Sequence, residues 1–250
     1  MTDVGSMAWA TRTGGRMSRS DRLVQLTEAG GVRAGLLFRR FLPRRSAERI
    51  ELGSVVVPDS AVAREAAELC ITSSSQSLAN HCLRTFYWGS MLAGARDLRF
   101  DTELLWVAAL LHDLGLTDSF GFQDDRFDCF AYESAVVAEE FARDRGWGAD
   151  RASTLAETIC RHLNVKVPVG DGPEAHLLRA GSGLDVVGAR LHEIHRADRD
   201  EVLSRYPRLH FKDELSDLAG EQGRRRPGSR MSFLMANGFG GMIKRAPFPD

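Results

Sequence analysis

The chain has 250 residues, of which 43% are hydrophobic and 27% charged, with a formal net charge of −1. At about 150 residues per domain, this length predicts one large domain or one domain with extensions. The composition excludes a wholly disordered chain, and the near-zero charge excludes a global nucleic-acid footprint. No uninterrupted apolar run approaches the roughly 18 residues of a spanning helix, and the N-terminus lacks the basic-then-apolar order of a signal peptide. The expectation is a cytoplasmic protein with no nucleic-acid partner and no stable membrane association. Cys70, Cys82, Cys129 and Cys160 form no CxxC pair and read as free thiols of a reduced compartment.

In chain order, residues 1–20 mix Gly, Ser, Thr and Arg without periodicity and read as a mobile leader. The first 50 residues hold ten arginines against four acids, a basic segment whose charge the rest of the chain cancels. Residues 33–43 are basic and apolar together, suiting a short helix on an anionic surface or an arm packed on the body or on a second subunit, so a homo-oligomer stays open. From Pro58 onward the signals are helical. Asp59-Ser60 starts an alanine-rich helix, and further helices are predicted over 75–95, 102–114, 131–145, 149–162, 174–187, 189–205, 210–222 and 229–236. Ser54-Val55-Val56-Val57 is the one extended candidate, so the fold class is all-α with strand content near zero. Arg224-Arg225-Arg226 suits a solvated loop, or a contact with phosphate or a neighbouring subunit.

The helix over 102–114 is apolar on every face from Leu104 to Leu111, which puts it in the middle of the core. It ends in His112-Asp113, two polar side chains that need partners when buried, and one bound cation would satisfy both. Adjacent residues cannot complete an ion's shell, so further ligands must come from elsewhere. His81, His162 and Asp185 are the candidates, each an ionisable residue in a largely apolar helical stretch.

The order His81, then His112-Asp113, then Asp185 resembles the metal site of the HD-domain superfamily of metal-dependent hydrolases. The resemblance covers roughly residues 58–200. The phrases Ala79-Asn80-His81-Cys82-Leu83-Arg84-Thr85-Phe86, Leu111-His112-Asp113-Leu114-Gly115-Leu116-Thr117 and Leu184-Asp185-Val186-Val187-Gly188 are most similar to its cyanamide hydratase-like branch. The resemblance implies an HD-domain helical bundle with a single buried metal site, ligated by His81, His112, Asp113 and Asp185. It implies a divalent ion, zinc first, with Mn, Fe, Co or Ni also compatible with such donors. It implies a small-molecule substrate and an activated water that adds to a nitrile-like carbon to give an amide or urea, with Asp113 also accepting a proton. The division that follows is a basic arm over 1–57, an HD body over 58–222 and an extension over 223–250.

Around that set, His162 is either a group standing behind the ligands or a core histidine. Glu133 either orients a ligand histidine through its free ring N–H or complements a helix dipole. Arg84 either clamps an anionic group or pairs with Asp97 or Asp113. Tyr87, Trp88, Phe120, Phe122 and Phe127 are candidate pocket aromatics, and Thr117 and Asn164 are candidate substrate contacts. The two-metal phosphodiesterase pattern needs further histidines, whereas residues 114–184 contain only His162 and His176. A nucleotide phosphohydrolase and a catalytically silent ligand-binding HD domain remain the alternative expectations. His192-Glu193-Ile194-His195 lacks zincin spacing, Gly181-Ser182-Gly183 lacks a phosphate-loop context, and no Gly-x-Ser-x-Gly elbow exists.

Overall fold

The structure is a computed structural model that describes residues 3–39, 47 and 49–249, with 32–39 described as helix backbone only. Among the described residues it is all-α, with twelve α-helices, five short 3-10 segments and no strand. They are α1 (Met7–Thr13), α2 (Arg19–Arg39), α3 (Ala61–Ser73), α4 (Gln76–Gly94), α5 (Thr102–Leu111), α6 (Phe130–Asp144), α7 (Ala149–Cys160), α8 (Pro173–Val187), α9 (Arg196–Arg205), α10 (Phe211–Arg225), α11 (Arg230–Ala236) and α12 (Phe239–Lys244). No helix among the described residues is long and apolar enough to cross a membrane. All four cysteines are free and buried.

Local chemistry sets the helix starts. Ser60, Ser75 and Asp101 each accept a backbone N–H of the first turn of α3, α4 and α5, satisfying one of the donors a helix start leaves open. Residues 104–111 of α5 are all buried, and α3, α4, α6, α7 and α8 pack around this helix. The α4–α8 seam is the tightest approach that matters for the site. A Cβ at Gly181 would stand 2.3 Å from the Thr85 carbonyl oxygen, and one at Gly89 would stand 3.2 Å from that of Leu177. Two glycines therefore bring the backbones of α4 and α8 together. The Gly181-Ser182-Gly183 phrase is a packing device.

The structure ends or splits several predicted helices where the backbone changes hand or tightens. α5 stops at Leu111, Asp113 leaves helical geometry at φ −110°, and a 3-10 turn follows over Leu114–Leu116. The predicted 189–205 helix is broken because Arg190 adopts φ 62°; α9 begins only after His195, which caps it. Ser54 closes a 3-10 turn, so the extended candidate is not a strand. The glycine-rich stretch after Asn237 contains α12. Of residues 33–43, residues 33–39 continue α2 and the rest lie outside the described residues.

The mobile-leader expectation is corrected from residue 3 onward. Ser6 caps α1, Trp9 is 2% exposed, and Val4, Ala10 and Met17 are buried with it in the main core. The Met7 amide donates to Glu157 at 2.6 Å, Asn164 donates to the Val4 carbonyl, and the Met17 amide donates to the Gly228 carbonyl. Arg16 pairs with Asp128 at 2.9 Å and Arg49 lies 3.5 Å from Asp198, so basic residues of the arm meet acids of the body. At the other end Arg226 is 4% exposed and inside the fold, which corrects the solvated-loop expectation for that residue. Trp9→Ala removes a fully packed indole and is expected to destabilise the protein by about 3–5 kcal/mol in urea unfolding followed by circular dichroism. An unchanged midpoint would mean that the N-terminal helix is not docked in solution.

Candidate metal centre

Three imidazoles converge on Asp113, and each is aimed by a hydrogen bond at its far nitrogen. His112 and His162 use the same device at the ends of α5 and α7. Their Nδ1 atoms lie 2.8 Å from the Ala109 carbonyl and 2.7 Å from the Ile159 carbonyl, three residues back in each case. A helix end leaves such carbonyls without a partner, and a carbonyl can only accept. Both Nδ1 atoms therefore carry the proton, and both Nε2 lone pairs are bare. In His81, on α4, Nδ1 donates to Asp185 Oδ2 at 2.8 Å, which bares its Nε2 as well.

The three bare nitrogens surround one carboxylate. His81 Nε2 lies 3.5 Å and His112 Nε2 3.3 Å from Asp113 Oδ2, while His162 Nε2 lies 3.6 Å from Oδ1. The ligand atoms of His81, His112 and Asp113 all lie within 4.8 Å of one another, the spacing of a set that can hold an ion. His112 Nε2 is buried with no hydrogen-bond partner. Lone pairs facing lone pairs repel, and an orphaned buried nitrogen is costly. A divalent cation relieves both, so the donor set fits a metal. The Phe211 ring stacks on His81 at 4.6 Å, and Phe130 lies 5.7 Å from His162, so the surroundings are apolar.

Asp185 stands behind His81. Besides the His81 bond, Arg84 donates from Nε to Oδ1 and from Nη2 to Oδ2, each at 2.8 Å, and Trp88 Nε1 donates to Oδ1 at 2.9 Å. Four N–H donors thus take up the two oxygens. Burial alone would raise this carboxyl, but the charge and hydrogen bonds of Arg84 and the His81 bond hold it well below the ordinary range. This corrects three expectations. Arg84 pairs with Asp185 and not with Asp97 or Asp113, and its guanidinium is fully buried. Trp88 is fully buried and braces Asp185, and it lines neither of the two cavities described below. Glu133 has no ring N–H left to orient, because all three Nδ1 protons are already placed.

Glu133 instead holds α10 against α6. Its Oε2 accepts from Arg226 at 2.8 Å, Arg226 donates to Gln222, and Gln222 donates to the Gly115 carbonyl, two residues from Asp113. Burial pushes the Glu133 carboxyl up, and Arg226 opposes the rise. Thr117 donates to the Leu114 carbonyl and lines a second cavity of about 230 Å³ with Phe122 and Arg225. Asn164 lines a larger cavity of about 350 Å³ that also contains His162. Phe127 packs edge-on against Tyr132 and lines neither cavity. Gln222, Arg208 and Phe211 carry no signal in the sequence, and Arg226 stands out there only as part of an arginine run. Arg208 donates to the Asp185 backbone carbonyl at 3.1 Å.

The neutral histidines make a pH prediction. Burial lowers the pKa of His112, and burial together with the neighbouring His112 lowers that of His162 to about 3. A depressed histidine contributes stability that is complete above the unfolded value near 6.5 and is lost as the pH falls toward the folded value. For protein kept metal-free by chelator, urea midpoints should fall continuously from pH 6.5 to 4, the unfolding free energy dropping by up to about 1.4 kcal/mol per pH unit for each such histidine. His162→Phe should flatten the decline. A midpoint constant over that range would contradict the neutral, buried imidazoles.

The HD domain model matches residues 78–181, which hold His81, His112, Asp113 and His162. Two curated cyanamide hydratases of Saccharomyces cerevisiae, DDI2 and DDI3, are each 27% identical over 217 residues, covering 84% of this chain and 93% of their own.

Proposed function

Since the HD domain model matches residues 78–181, we propose that this chain is a metal-dependent hydratase that adds water across the carbon–nitrogen triple bond of a cyanamide-type substrate. The observation that carries the reading is the convergence of three bare Nε2 lone pairs on Asp113. The likeness to cyanamide hydratases across most of both chains supports the substrate class.

His81, His112 and Asp113 hold the ion, with His162 as the fourth ligand. Asp185 passes from the ligand set expected of the sequence to the carboxylate that fixes His81, because its oxygens are engaged by Arg84, Trp88 and His81 itself. Three imidazoles and one carboxylate suit zinc, and also accept Mn, Fe, Co or Ni. When bound, the ion supplies Lewis acidity and lowers the pKa of a water from 15.7 toward about 7.

The chain's own residues do the rest. Asp113, 5% exposed, presents one oxygen toward His81 and His112 and the other toward His162, and it takes the proton that the attacking water gives up. The hydrogen bonds at the three Nδ1 atoms fix the tautomers, so the rings need no reorientation during the reaction. Phe211 and Phe130 keep bulk water off the imidazoles. The water oxygen bonds to the nitrile carbon as one carbon–nitrogen π bond breaks and a proton reaches nitrogen, giving the isourea; its O–H proton then moves to nitrogen as the second carbon–nitrogen π bond is replaced by the carbonyl π bond, giving urea from cyanamide.

Metal-loaded protein incubated with cyanamide should release urea, assayed colorimetrically. His112→Ala should lose both metal and activity. Asp185→Asn should weaken metal binding by roughly 10–100-fold without abolishing it, as loss of an orienting partner does. Absence of urea at every metal tested, with His112-dependent metal binding intact, would reject cyanamide hydration while leaving the metal centre standing.

A further inference from the structure

The cavity that contains His162 is far larger than cyanamide requires. Its volume is about 350 Å³, against roughly 30 Å³ for one water in the liquid, and cyanamide has only three heavy atoms. Its walls are largely apolar, with Leu26 of α2, Val186 and Val187 of α8, Phe233 of α11 and Phe239 of α12 among them. Space of this kind suits a hydrocarbon segment that displaces water from apolar surface.

Among the described residues, one cation interrupts that apolar lining. Arg179 of α8 lines the cavity and is bound only to backbone: Nε donates to the Asn164 carbonyl at 3.1 Å and Nη2 to the Val165 carbonyl at 2.5 Å. No carboxylate pairs with it among the described residues, and its charged neighbour is Arg190. Burial, followed by Arg190, lowers its pKa to about 10, so the guanidinium is charged at neutral pH. A partly buried guanidinium without an acid partner, facing apolar walls, is a ready receptor for an anion. Asn164 cannot serve as that anion, since it is a neutral amide already donating to the Val4 carbonyl and accepting from Arg230.

Resting on the hydratase reading, we propose that the substrate is an N-substituted cyanamide whose substituent is a short hydrocarbon chain ending in a carboxylate. The chain occupies the cavity, the carboxylate meets Arg179, and the cyano group reaches the centre beside His162. Such a compound is an N-cyano-ω-amino acid. Hydration adds one water to its cyano group, oxygen to carbon and both protons to nitrogen, and yields the ω-ureido acid with no redox change.

The test compares, on the metal-loaded full chain, N-cyano-ω-amino acids of increasing length with N-alkylcyanamides of the same length, and measures binding of the product ureido acids and alkylureas by calorimetry. The acids should exceed the alkyl analogues in kcat/KM and in affinity by about tenfold, as a charge-assisted hydrogen bond gives. In Arg179→Gln that acid-to-alkyl ratio should fall toward one, and in Arg179→Lys it should partly return. Because both compounds meet the same variant, a loosened 164–165 loop lowers both and leaves the ratio unmoved. In Ser182→Leu, which narrows the cavity without touching Arg179, the preference for longer chains should shrink. Turnover of cyanamide with alkyl analogues equal to or better than acids would overturn the proposal and leave the hydratase reading intact. Arg179-dependent binding of ureido acids with no turnover of any cyano compound would keep the subsite and remove the reaction.

Discussion

A buried carboxylate in an apolar helix is among the costliest groups a core can hold, and the active end of this fold is organised around neutralising one. Asp185 enters the α4–α8 seam because Gly89 and Gly181 let the two backbones close. There it meets Arg84, Trp88 and His81, which occupy one face of α4 at spacings of three and four residues. Removing one partner would strand a buried charge, a loss of about 3–5 kcal/mol, so the pair ties the two helices rigidly. The same interaction sets the His81 tautomer. Packing and chemistry are thus one constraint, because the carboxylate that holds α8 on α4 also aims the lone pair that faces Asp113.

The other two imidazoles reach the same result by a local route. His112 and His162 sit where α5 and α7 end, and each spends its Nδ1 proton on a carbonyl that the helix has left open. The Glu133–Arg226–Gln222 chain then carries the anchoring outward from Gly115 to α10. The docked N-terminal segment packs beside that chain, since the Met17 amide donates to the Gly228 carbonyl, Val4 and Trp9 pack near Asn164 and Arg230, and α2 supplies one wall of the large cavity. The extensions of the chain therefore shape the surroundings of the centre.

Much of this was legible in the sequence. Ser, Asp and alanine-rich signals gave helix starts, and the uniformly apolar run from Leu104 to Leu111 marked the central helix and the His112-Asp113 pair at its end. His81 was legible through its order relative to that pair. What sequence could not resolve was which side of a histidine a carboxylate occupies. Asp185 as a ligand and Asp185 as an orienting partner leave the same trace, a carboxylate in an apolar helix, and only the arginine and indole donors across the seam separate them. His162 was undervalued because a lone histidine in an apolar stretch is ordinary. Its signal was its place just past the end of a helix, the position His112 also holds. Residues 3–17 lacked periodicity because α1 is seven residues long, too short to display it, and Trp9 is buried by contacts distant in the chain.

The central claim is the division of labour between Asp185 and His162. Anomalous diffraction from crystals of the metal-loaded protein tests it most directly. The account predicts an anomalous peak contacted by His81, His112, Asp113 and His162, with Asp185 still bonded to His81, Arg84 and Trp88. A peak contacted by an Asp185 oxygen, with Arg84 displaced and His162 remote from the ion, would contradict it.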